Sequence, residues 1–120
     1  MRRYSCIPSL VLTKQFLFVI VGRNATYTAQ KNYSSNSGPW SLAVVDVNSD
    51  GKVDIIVGNY DSNTVGVFLN TGNGTFSLQT TYSTGISPWS LVATDVNNDS
   101  KPDIIVTNSG SDNVGVLLAY

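Results

Sequence analysis

"PWSLAVVDVNSDGKVDIIVGN", residues 39–59, is the stretch that decides the fold. Its two ends are rich in Val and Ile, residue types that suit a pleated strand, and they read as strands over 41–47 and 54–59. The unbroken run "DIIVGN" has the look of an inner strand buried on both faces. Between the strands lies "DVNSDGKVD", residues 46–54, where Asp, Asn and Gly make a turn by their own chemistry. Three aspartates in nine residues are more than a turn needs.

The whole unit returns 49 residues later as "PWSLVATDVNNDSKPDIIVTN", residues 88–108. Sliding the chain on itself by 49 lays residues 24–70 over 73–119 with about half of the pairs identical. The same register puts Phe16, Phe18 and Ile20 over Val65, Val67 and Leu69. The apolar run 16–22, "FLFVIVG", therefore reads as the tail of a preceding repeat. It is far short of the roughly 20 residues that span a bilayer, and Lys14 and Gln15 interrupt any secretory leader core. A strand-rich, glycine-rich unit of this period points to propeller blades, each a four-stranded antiparallel sheet. Within one unit the expected strands are 41–47, 54–59, 64–70 and 75–83. The division that follows is an N-terminal segment of unclear role over 1–14, the end of a preceding repeat over 15–35, one repeat over 36–84 and a second, incomplete repeat over 85–120. The expected fold is all-β: two repeats plus part of a third. Trp40 and Trp89 read as packing residues in the core or between blades.

Composition narrows the function. All eight acidic residues are aspartate, and six of them fall in the two turns. Residues 32–120 carry only Lys52 and Lys101 against those eight, a net charge of −6 that repels nucleic acid. There is no histidine, and the single cysteine, Cys6, has no partner in the chain for a disulfide or a zinc site. No serine sits in a nucleophile-elbow pattern, so the expectation is that the chain is not an enzyme.

In the first turn Asp46, Asn48, Asp50, Lys52 and Asp54 hold positions 1, 3, 5, 7 and 9, and in the second Asp95, Asn97, Asp99, Lys101 and Asp103 do. Alternate spacing in a curled loop can aim side-chain oxygens at one point, with a backbone carbonyl added at position 7. Ca2+ takes six to eight oxygens at roughly 2.3–2.6 Å and tolerates irregular geometry, which magnesium does not. An EF-hand is excluded, because it needs a bidentate Glu at position 12, where Val57 stands. Crowded carboxylates call for a cation or protons. The simpler alternative is that these residues only make a good hairpin turn.

With these motifs in view, the chain resembles the FG-GAP and VCBS-type repeats, the blades of integrin-alpha-like β-propellers, over roughly residues 24–119. The resemblance implies cation ligation by Asp46, Asn48, Asp50 and Asp54 with the Lys52 carbonyl, and by Asp95, Asn97, Asp99 and Asp103 with the Lys101 carbonyl. It implies a calcium-binding module of extracellular adhesion or ligand recognition, facing an unknown protein or carbohydrate. The alternatives are the repeat portion of a larger secreted hydrolase or lyase and a purely structural spacer. Family propellers have about seven blades, so it also implies a piece of a longer array, with open sheet edges that could self-associate. Pro-Trp replaces the family's Phe-Gly pair. Ser100 stands where Gly51 does, and Pro102 follows it; if that position needs positive φ, the second loop should bind more weakly. The sequons at Asn24, Asn32 and Asn73, with a further one at Asn98, fit an extracellular address.

Overall fold

The computed structural model describes residues 24–120, and the expectations for the run 16–22 and for Cys6 lie outside them. The described residues form no α-helix, and the one helical element is a single 3-10 turn, Tyr60–Ser62. No helix among them is long and apolar enough to cross a membrane.

Residues 32–120 form one compact unit. Its first sheet is an antiparallel meander of β1 (Pro39–Val45), β2 (Asp54–Asn59), β3 (Thr64–Phe68) and β6 (Thr80–Ser83), in the order β1-β2-β3-β6. Ala43 faces Ile56, which faces Val67, across the three inner strands. A hairpin of β4 (Asn70–Gly72) and β5 (Thr75–Phe76) stands apart from it. The second sheet repeats the meander with β7 (Pro88–Thr94), β8 (Asp103–Asn108) and β9 (Asn113–Leu117). There Ala93 faces Ile104, which faces Leu117.

Two strand expectations are corrected. The third strand stops at Phe68, and 75–83 is not one strand. Ser77 breaks both: its hydroxyl and its N–H bond the backbone of Leu69, at 3.0 and 2.8 Å, which closes the hairpin and frees only Thr80–Ser83 to pair with β3. The first strand runs from Pro39 to Val45, so both of its residues 46 and 47 belong to the turn.

The two copies agree down to the backbone residues that L-amino acids avoid. Gly38 and Ser87, Ser49 and Asn98, Gly51 and Ser100, and Asn63 and Asp112 are all 49 apart and all have positive φ, between 55° and 83°. A duplicated sequence has thus kept duplicated turns.

One core lies between the two sheets. Ile56, Val65 and Val67 from the first pack with Leu91, Ile104 and Val106 from the second. Each such aliphatic side chain contributes about 1.5–3 kcal/mol on burial. The core also draws in Val47 and Leu69, at the ends that the acidic turn and the hairpin leave open. Trp40 and Trp89 are not core: they are 59% and 47% exposed. Their rings stack across the two sheets at 4.9 Å, with Tyr60 at 5.7 and 5.9 Å from them. They mark the junction of the sheets from its solvent side.

Candidate metal centre in the two acidic turns

Each acidic turn joins the first two strands of its sheet, and the same set of hydrogen bonds builds both. Asp46 at position 1 accepts N–H bonds from Asn48 and Asp50, both 3.2 Å, and from Gly51, 2.7 Å. Asp95 accepts from Asn97 and Asp99, both 3.2 Å, and from Ser100, 2.8 Å. At position 5, Asp50 accepts from Lys52 N–H at 2.9 Å and Asp99 from Lys101 N–H at 3.0 Å. The turn is curled because its first carboxylate gathers the amides that follow it. Desolvation raises the Asp46 and Asp95 carboxyls, but the ring of backbone N–H donors outweighs it and holds both below the usual aspartate value. Both stay ionised at neutral pH.

Position 9 differs in kind. Asp54 and Asp103 are fully buried, at 0% exposure. The two oxygens of Asp54 accept from Val47 N–H and Asn70 N–H, both 2.8 Å. Those of Asp103 accept from Val96 N–H, 2.9 Å, and Ala119 N–H, 2.8 Å. Each carboxylate therefore ties the acidic turn to the chain leaving the third strand. Sequence spacing showed these residues as equals of the other aspartates and gave no sign of this second role, because the bonds to Asn70 and Ala119 span 16 residues. An ionised carboxylate oxygen has a further lone pair, so both roles are compatible at one group.

Position 3 completes the cluster. The amide oxygen of Asn48 faces the Asp46 and Asp50 Oδ1 atoms, at 3.0 and 3.1 Å, and that of Asn97 faces Asp95 and Asp99 Oδ1, at 3.1 and 3.0 Å. No proton lies between these oxygens. The contact is satisfied in one of two ways: the amide turns over so that its NH2 donates to both carboxylates, or a cation sits among the oxygens. In the second turn Asp95, Asp99 and Asp103 also bring one carboxylate oxygen each within 4.8 Å of one another, the one group of three acidic or thiol or imidazole side chains so disposed among the described residues. The donor set, hard oxygens with carboxylate charge, fits a hard divalent cation.

Position 6 uses glycine geometry in both turns: φ is 83° at Gly51 and 67° at Ser100. A Cβ built on Gly51 meets no atom within 4 Å, so only the backbone conformation is at stake. The strain expected of the second turn is nevertheless shared, since Ser49 has φ 61° where the second turn has Asn98 at 62°, and Asn is the better tolerated residue there. Ser100→Gly and Ser49→Asn should each raise stability by about 0.5 kcal/mol, the left-handed cost of serine less the entropy of a more flexible chain. Thermal unfolding checks this; a lowered midpoint for both variants would rule the account out.

A β-meander repeated front to back, with an acidic turn between the first two strands of each copy, defines a β-propeller-like repeat module. The family model described as FG-GAP-like repeat matches residues 46–106, half of the chain, and the chain belongs to that family. No curated protein and no solved structure matches it.

Proposed function

We propose that the two acidic turns bind calcium and that the chain is a calcium-stabilised, non-enzymatic recognition module of an extracellular protein. The observation that carries this reading is the convergence of the Asn48 and Asn97 amide oxygens on carboxylate oxygens, in the same geometry in both turns. Asp46, Asn48, Asp50 and Asp54 would hold one ion, and Asp95, Asn97, Asp99 and Asp103 the other, with the Lys52 and Lys101 carbonyls adding a ligand each. Calcium would neutralise the crowded carboxylates and fix the turn; it is given no step in a reaction.

The non-enzymatic part rests on what the aspartates are already engaged in. Every one of the six in the turns accepts backbone N–H bonds except where a cation would take its place, and the chain has no histidine to serve as a base. The extracellular part rests on the sequons and on calcium levels outside cells, which suit modules with Kd near 10⁻⁴–10⁻³ M. The partner would be a protein or a carbohydrate.

Isothermal titration with calcium tests the reading. Two sites of micromolar to millimolar strength are expected, the first lost in Asp50→Ala and the second in Asp99→Ala, each without effect on the other. A folded sample that gives no heat, with the amides of Asn48 and Asn97 donating to the carboxylates instead, would remove it.

A further inference from the structure

The two sheets do not pack like face on like face. Ile56, Val65 and Val67 project from one face of the first sheet, and the residues they meet, Leu91, Ile104 and Val106, are equivalent by the 49-residue shift to Leu42, Ile55 and Val57 on the other face of that sheet. Front therefore meets back. Such packing leaves one back uncovered on the first sheet and one front uncovered on the second. The exposures show the consequence: Val65 and Val67 are 0% and 7% exposed, whereas their equivalents Val114 and Val116 are 62% and 53% exposed. Leu91 is 7% exposed and its equivalent Leu42 is 67%.

We propose that these two open faces are the two halves of one interface, and that a second copy of this chain docks head to tail, the front of its second sheet on the back of the first sheet of its neighbour. The occupant is specified by the chain itself, because the buried junction between its own sheets is the template for the junction with the copy. The open faces carry aliphatic side chains, Leu42 and Val44 on one and Val92, Val114 and Val116 on the other, so no charge opposes the contact. The back of the first sheet already follows the same rule at its margin. Tyr33 lies edge-on to Phe68 at 6.5 Å, and its equivalent Tyr82 lines a cavity of about 590 Å³ with Leu117, the equivalent of Phe68. The same step that sets Trp89 on Trp40 sets the Trp40 of the next copy on Trp89.

This interface is heterologous, so it closes into a ring or grows into a filament, and it differs from pairing at strand edges. It does not depend on whether the acidic turns bind an ion. The test is sedimentation velocity over a range of concentrations on the whole chain, on Leu42→Lys, on Val116→Lys and on an equimolar mixture of the two variants. The unaltered chain should form species larger than a dimer. Each variant alone should be monomeric, since every contact needs one intact front and one intact back. Their mixture should give a 1:1 dimer and nothing larger, with a change in tryptophan fluorescence. Both positions are exposed, and circular dichroism reports whether the strands persist; if either variant fails to fold, Val44→Lys and Val114→Lys replace it on the same face. An unaltered chain that stays monomeric, variants that still self-associate through edges or another surface, or a mixture that stays monomeric would each overturn the proposal.

Discussion

Asp103→Ala lowers the unfolding midpoint by on the order of 15 °C, measured in the presence of a chelator. The buried carboxylate accepts two backbone N–H bonds, from Val96 and Ala119, and its removal leaves both donors without their acceptor. A hydrogen bond to a charged group is worth about 1.5–3 kcal/mol, so a loss of about 3 kcal/mol is the low end for two of them. In a domain of this size each kcal/mol moves the midpoint by roughly 4–8 °C. Asp54→Ala behaves alike through Val47 and Asn70. The chelator matters, because it separates the tie between strands from any role in holding an ion. Asp99→Ala in the same buffer loses only an exposed bond from Lys101 and should fall by a few degrees at most. Equal losses for Asp99→Ala and Asp103→Ala would mean that position 9 is not the tie described.

Calcium at a hundredfold excess over Kd raises the midpoint by on the order of 20 °C, on the reading that both turns bind it. A ligand held only by the native state adds about 2.7 kcal/mol per site at that excess, and two independent sites roughly double this. Magnesium at the same concentration should do much less, since it demands a regular octahedron and keeps its waters. Asp50→Ala and Asp99→Ala should each remove about half of the calcium effect. A midpoint indifferent to calcium, in a sample with the expected β-sheet spectrum, would leave the turns as hydrogen-bonded hairpin connections and no more.

The two acidic turns show how far residue types reach. Their positions, their donors and their equivalence were legible because Asp, Asn and Gly each act locally: the carboxylate of position 1 bonds amides two to five residues on. The double life of Asp54 and Asp103 was not legible, because their second partners lie 16 residues away on a chain whose path only the sheet sets. The fourth strand was misjudged for the same kind of reason. Nothing in "TFSLQTTYS" says that Ser77 will bond back to Leu69 and divide it.

By itself the sequence determined the repeat, its period, the β character of its strands and the chemistry of its turns, since a duplication and a pattern of side chains are local facts. The tertiary structure alone decided which face of each sheet is covered. Period-2 alternation gives every strand two faces, and in an inner run such as "DIIV" both are apolar, so the sequence cannot distinguish Val65 at the junction from Val114 in solvent. Only the stacking of front on back separates them, because burial is a property of the neighbour and not of the residue.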